Sequence, residues 1–475
     1  MGVGEHVQLV LLWLLLAAAT PESLQPAFSW AKLPRFWHAG NASGPLNSTL
    51  IEFVARRGWA MATIEKMQSQ AASPKSRHAE AKIIAAAQQL KAASPTLPVI
   101  FYLNSVMDWP QYDLHADLTK QPELWLTDDD GRSIYIRKPG CVPLNSSACS
   151  VHVFDHAQPR MRELFLGVLR RAKASGAIDG AFLDRGNTNA SAAQGGAHGW
   201  KLSAARKVAW DKGHMKVLRS AGQLFSDGVV IGNNADFQGV NGRMIESFGS
   251  DFQDGWGGLL ADIALLQREA TIGTFLEVHG ESRAGLGPPS PPGTDSKACT
   301  PDVFNLTLAS FLIGAGERAY YACTKGWTAQ SGWDEWHREY DLLLGAPAGS
   351  ATHDLRLVAA ADVAEPSVAT GLQQHFFRRS FEHARVELNV TGVGANTSVS
   401  ACVCWQDTGW ITGPNQPCLE ICGIDRTAMK VDDESSRESF PDTADHCRTP
   451  FTWSSPLSPA QLPDRGNLSD HHREN

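Results

Sequence analysis

Between Arg35 and Cys323 short apolar runs alternate with longer stretches of helical periodicity. The runs Arg35–His38, Trp59–Glu65, Pro98–Asn104, Gly180–Asp184, Gly228–Asn234, Arg243–Phe248, Gly273–His279 and Arg318–Cys323 have the length and character of buried strands. Helices are expected over His78–Ala93, Arg160–Ala174, Leu202–Leu224, Leu259–Ala270 and Pro301–Gly314. In the first of these, Ile83, Ile84, Ala87 and Leu90 recur at helical spacing. Strand and helix alternating in this way predict an α/β fold, a (β/α)8 TIM barrel. The gap after strand five leaves space for one turn of helix or none. An open doubly wound sheet is the competing topology, but no glycine-rich phosphate loop follows strand one.

Two regions break the alternation. Ser105–Val151 is too long for an ordinary connection and carries Trp109, Tyr112, Trp125, the acidic run Asp128–Asp130, Cys141 and Cys149. An insertion of that size on the catalytic face of a barrel shapes access to the site. Ser282–Lys297, rich in Gly, Pro and Ser, forms a second loop. From Phe376 the pattern changes: Phe376–Val390 and Val399–Trp405 are β-prone and cysteines follow. The expected organisation is a signal peptide over 1–20, a barrel over 33–370, a small disulfide-rich β unit over 371–434 and a flexible tail over 435–475.

Composition narrows the partners. With 42 basic and 50 acidic residues the net charge is −8 and no basic run occurs, which argues against nucleic acid. Leu9–Ala19 reads as the apolar core of a signal peptide with small residues behind it, although the segment before it lacks Lys or Arg; a signal anchor is the alternative. No later run is long enough to span a bilayer. Sequons at Asn41, Asn47, Asn145, Asn189, Asn305, Asn389, Asn396 and Asn467 favour the secretory pathway. So do the local cysteine groups: Cys141 with Cys149, Cys299 with Cys323, then Cys402, Cys404, Cys418, Cys422 and Cys447. These read as disulfides, with neighbouring Cys-x-Cys side chains poorly placed to bridge each other. The nine cysteines leave one over, and a metal site would lack a clear Cys/His quartet.

The active site of such a barrel lies at the C-terminal ends of its strands. Those ends are polar throughout: His38, Glu65, Asn104, Asp184, Asn233 with Asn234, Glu246, and Glu277 with His279. Buried carboxylates are costly without a partner or a task, so a ring of them at one end points to chemistry. In Ile178–Asp184 the strand starts at an Asp179–Gly180 turn, and Asp184 shares the Phe182 face. Asp184 and Glu246 are the candidate catalytic carboxylates for glycosidic cleavage. His38, Glu65, Asn104, Asn233, Asn234, Glu277 and His279 are candidates for binding sugar hydroxyls, and Glu277 is also an alternative acid. Fifteen Trp against six Tyr suits stacking on sugar rings, as it suits a core. A barrel metallohydrolase would need His-x-His on strand one, where only His38 stands, so no metal or other cofactor is expected.

The segments FYLNSVMDW, VFDHAQP, GAIDGAFLD, MIESFG and TFLEVHG, in that order, resemble a family of barrel glycosyl hydrolases. It is distantly similar to the endo-α-1,4-polygalactosaminidase and α-galactosidase groups. The likeness runs from about Arg35 to Val390 and includes FFRRSFEHARVELNV, which looks like the β segment that follows such barrels. It implies that Asp184, at the end of strand four, is the nucleophile and Glu246, after strand six, the acid. The implied partner is an oligo- or polysaccharide; a barrel that binds carbohydrate without cleaving it is the competing reading. The cysteine-rich C-terminus lies outside the resemblance.

Overall fold

The computed structural model describes residues 24–69, 78–137, 150–187, 189–190, 201–233, 239–248, 257–281, 299–358, 372–393, 396–405 and 451–454. The signal-peptide segment, Cys141, Cys149, Asn234 and the Ser282–Lys297 loop lie outside these residues.

The barrel comprises β1 (Trp37–Ala39), β2 (Ala62–Ile64), β3 (Val99–Asn104), β6 (Gly180–Asp184), β7 (Val229–Asn233), β8 (Gly242–Phe248), β9 (Phe275–Gly280) and β10 (Ala319–Cys323), parallel and in that spatial order. Isolated parallel bridges, Arg35 to Tyr321 and Gly40 to Thr328, bring the last strand back to the first. Every expected strand is present with edges moved by a few residues; β9 extends past His279 to Gly280. The helices are α1 (Ser48–Arg56), α2 (Ala79–Ala93), α3 (Asp113–Leu118), α4 (Pro159–Ala174), α5 (Ala204–Leu224), α6 (Gly257–Ile272) and α7 (Pro301–Gly314). Their starts follow from local chemistry. Asn47 Oδ1 accepts from the Leu50 amide at 2.8 Å to cap α1, and Thr300, Pro301 and Asp302 supply cap, first residue and favourable charge for α7.

Helices outside and side chains inside bury the strands on both faces, which explains their continuous apolar runs. Where β6 and β7 begin, the chains approach so closely that a Cβ on Gly180 would sit 2.1 Å from the Val229 carbonyl oxygen, and one on Gly228 1.8 Å from that of Asp179. Asp179 is structural: its Oδ2 accepts from the Val99 amide at 2.8 Å and pairs with Lys91 at 2.6 Å.

The insertion after β3 holds α3 and an antiparallel pair, β4 (Tyr135–Arg137) and β5 (Ser150–His152). Beyond the barrel, β11 (Thr352–Val358), β12 (Leu372–Ser380), β13 (Ala384–Val393), β14 (Asn396–Trp405) and β15 (Phe451–Ser454) form one antiparallel sheet in chain order. This sheet starts ahead of residue 371, and β15 belongs to the segment expected as flexible tail, so both expected edges of the β unit move outward. The expected strand Phe376–Val390 is two strands with a turn at Phe381–His383. Helix α7 is buried nearly all round because the barrel covers one side and this sheet another. Arg379 of β12 donates to the carbonyls of Leu312 at 2.8 Å and Ala315 at 2.5 Å, closing the α7 C-terminus. A disulfide joins Cys299 to Cys323. Cys402 and Cys404 are each disulfide-bonded, but their sulfurs stand 3.5 Å apart, so not to each other.

Candidate active site

A cavity of about 300 Å3 opens among the C-terminal ends of the barrel strands. Six residues expected at strand ends line it: His38, Glu65, Asn104, Asp184, Asn233 and Glu246. Glu277 and His279 do not. Both are fully buried beneath it, Glu277 against Thr63 and His38, His279 against Thr324 at 2.8 Å. Side chains on one strand face recur every second residue, and β9 runs further than expected, so the residue of that face reaching the cavity is Glu281.

Asp184 is held on both oxygens. Its Oδ2 accepts from the Tyr102 hydroxyl and from Asn104 Nδ2, each at 2.6 Å, and its Oδ1 accepts from Asn233 Nδ2 at 3.1 Å. The Asn104 amide cannot turn over without loss, because its Oδ1 takes the backbone amides of Val106 at 3.0 Å and Met107 at 2.7 Å. Burial pushes the Asp184 carboxyl upward. The charge of Lys66, the bonds from Tyr102 and Asn233, and the charge of Arg185 outweigh it and hold the group below the usual carboxylate range. Asp184 is therefore ionised at neutral pH.

Glu246 stands on β8, where the register with β9 shifts between Ile245 and Phe248. Such an irregularity re-aims side chains next to sites. Asn233 Nδ2, already bonded to Asp184, also donates to Glu246 Oε2 at 2.6 Å. The two carboxylate oxygens that share this amide are thus no farther apart than 5.7 Å, the two bonds laid end to end. The residues following the two carboxylates both adopt the left-handed conformation, Arg185 at φ 59° and Ser247 at φ 58°. The Ser247 hydroxyl donates to Glu281.

Residues 91–385, more than half of the chain, match the family described as hypothetical glycosyl hydrolase family 15. The chain belongs to that family. No curated protein matches it. Among solved structures it is similar to the glycoside hydrolase domain of PelA from Pseudomonas aeruginosa, at 12% identity and TM-score 0.32, over 53% of this chain and 84% of that one. It is also similar to the maltogenic α-amylase AmyB from Thermotoga neapolitana, at 12% identity and TM-score 0.43, over 78% and 88%. A third similarity is to a sulfoquinovosidase from E. rectale, at 16% identity and TM-score 0.42, over 67% and 46%.

Several residues of this family member's cavity escaped the strand-end rule. Lys66 follows Glu65 and bonds to it, donates to the Tyr102 hydroxyl at 3.0 Å, and lies over the rings of Tyr102 and Trp109 at 4.4 and 5.1 Å. Burial raises the Glu65 carboxyl against the attraction of Lys66. Burial and the nearby acids drive the Tyr102 phenol well above its usual value, so it stays a donor to Asp184. The signal for Tyr102 was present: it shares the Asn104 face by the period of two. Trp109 and Trp327 supply aromatic walls, and the His38 ring packs on Phe182 at 4.5 Å and Trp327 at 4.7 Å. Burial, with the charges of His279 and Lys66, keeps His38 neutral. Two buried polar atoms of cavity-lining residues, His38 Nε2 and Asn233 Oδ1, have no hydrogen-bond partner among the described residues. Hydroxyl groups of a ligand would satisfy both. Among the described residues no three His, Cys, Asp or Glu side chains are grouped to hold a metal ion.

Proposed function

We propose that this family member is a secreted enzyme that cleaves an O-glycosidic bond of an oligo- or polysaccharide with retention of configuration. Asp184 is the nucleophile and Glu246 the general acid and base. The observation that carries the reading is the Asn233 amide shared by both carboxylates, which keeps their nearest oxygens within 5.7 Å. A retaining pair stands ~5–5.5 Å apart, whereas an inverting pair leaves ~6.5–9.5 Å for a water.

In the first step Asp184 Oδ1, the oxygen with the single longer bond, attacks the anomeric carbon. The bond from that carbon to the leaving oxygen breaks as Glu246 protonates the oxygen. Water then attacks the glycosyl–Asp184 ester, gives its proton to Glu246 and releases the carboxylate. Hydrogen bonds from Tyr102 and Asn104 stabilise the charge that returns to Asp184. The aromatic walls of Trp109 and Trp327 and the orphan atoms of His38 and Asn233 suit a sugar ring.

The test is Asp184→Asn against a panel of aryl glycosides and glycans. Activity is expected to fall by orders of magnitude, and in Asp184→Gly, which opens room beside the anomeric carbon, azide is expected to restore turnover and give an azide product of inverted configuration. A variant that keeps most of the parent's activity removes Asp184 from the mechanism, and a parent product of inverted configuration removes the retaining pathway.

A further inference from the structure

Arg185 occupies a conformation that its residue type does not favour. It follows Asp184 directly and has φ 59°, a left-handed backbone that costs a residue with a Cβ and that glycine adopts freely. The turn at this point does not need an arginine, yet the side chain lines the cavity. Its charge reaches Asp184, but Arg185 makes no ion pair or hydrogen bond among the described residues. The neighbouring cation differs in this respect, since Lys66 is taken up by Glu65 and Tyr102.

A guanidinium is costly to strip of water unless an anion replaces that water. A sugar closing over this cavity displaces solvent from its walls. A neutral sugar would leave Arg185 with partial compensation from hydroxyl groups. A planar carboxylate or a sulfate would meet its fork with two parallel hydrogen bonds. We propose that Arg185 forms a subsite for an anionic substituent, so that the substrates are acidic sugars bearing a carboxylate or a sulfate. This rests on the cavity being the sugar site described above, and deepens that reading by naming the substrate class.

The test compares 4-nitrophenyl glucosides and galactosides of both anomers with the corresponding uronides and 6-sulfates, on the parent chain, Arg185→Gly and Arg185→Lys. The parent is expected to prefer one anionic series by at least tenfold in kcat/KM, and whether uronide or sulfate leads identifies the anion. In Arg185→Gly that ratio is expected to fall at least tenfold, while Arg185→Lys, which keeps charge without the fork, lies between. Glycine suits the backbone here, so the melting temperature of Arg185→Gly is expected to be no lower than the parent's. A preference that survives in Arg185→Gly, or a parent without one, overturns the subsite. If the parent cleaves no glycoside, the hydrolytic reading fails, and titration with oligogalacturonate and a sulfated galactan decides the subsite alone. Binding by the parent that is lost in Arg185→Gly supports it, and equal binding by both overturns it.

Discussion

Replacing Tyr102 by Phe isolates one bond in the candidate site. The ring stays, with its stacking on Phe182 at 5.7 Å, and only the hydroxyl is lost. Asp184 Oδ2 then keeps the Asn104 bond and loses one of two donors at 2.6 Å, while Lys66 keeps Glu65 and loses its acceptor at 3.0 Å. A hydrogen bond to an ionised group contributes about 1.5–3 kcal/mol. Removing it favours the protonated acid over the carboxylate, so Asp184 becomes harder to ionise. The sign follows from the direction of its shift. Asp184 is held low in the folded protein, so the proposed activity, which needs the carboxylate, is present above its pKa and lost as pH falls through it. On that acidic limb activity is proportional to the ionised fraction. Tyr102→Phe is expected to run about ten- to a hundredfold below the parent there, and close to it on the plateau at higher pH. The assay is kcat/KM against pH on one aryl glycoside. An equal loss at every pH would place the hydroxyl on the substrate or the transition state; an unchanged profile would refute the argument that it holds Asp184 ionised.

Two further outcomes follow from groups outside the catalytic pair. Burial lifts Glu277 to about 8, against a bond from Thr63, so between the unfolded value near 4.3 and 8 the unfolded chain releases a proton that the folded chain keeps. Stability therefore falls with rising pH across that window, and Glu277→Gln is expected to flatten the loss; a melting curve series from pH 5 to 8 that is parallel in parent and variant would contradict it. Among the sequons, Asn41, Asn305 and Asn389 are buried while Asn47 and Asn189 are exposed. In material passed through a eukaryotic secretory pathway, glycopeptide mapping is expected to find glycans at the exposed pair and none at the buried three, and a glycan on Asn305, inside α7, would contradict the packing of that helix.

The barrel was legible because its strands are buried on both faces and so read as uninterrupted apolar runs, each ending where polar residues begin. The five expected helices were legible from their spacing, Pro301–Gly314 to the residue, whereas α1 and α3 were not among those expected. Asp184 was legible for the same reason: β6 stops on it, so counting back by two from the strand end finds the side chain in the mouth. The same count failed on β9, where the strand runs past His279 and the mouth belongs to Glu281. Lys66 and Arg185 stand just beyond strand ends, where periodicity no longer says which way a side chain points. The pairing of Lys66 with Tyr102 joins residues far apart in the chain through the contact of β2 with β3, and no local pattern encodes it. Strand β15 was missed because it is short and isolated, and its apolar pattern has meaning only against β14.

The two carboxylates reach the cavity by one local device used twice. At Asp184–Arg185 and again at Glu246–Ser247, a strand carries a carboxylate on its inward face and the next residue turns left-handed. On β6 the strand stops at the carboxylate, whereas β8 continues to Phe248 beyond a shift in register; in both places the left-handed turn frees the side chain after the carboxylate from the strand's alternation. On β6 the freed side chain is Arg185, brought to the cavity wall; on β8 it is Ser247, brought to Glu281. Neither position carries glycine, the residue that would adopt this backbone at least cost. Retaining Arg and Ser there is consistent with the side chains being needed, one for charge and one to hold Glu281 at the rim. Asn233, on the strand between, then ties the two ends together through a single amide. The separation of the carboxylates thus rests on three adjacent strands, β6, β7 and β8, and Asp184 is fixed further by Asn104, whose Oδ1 is held by the Val106 and Met107 amides at the start of the insertion after β3.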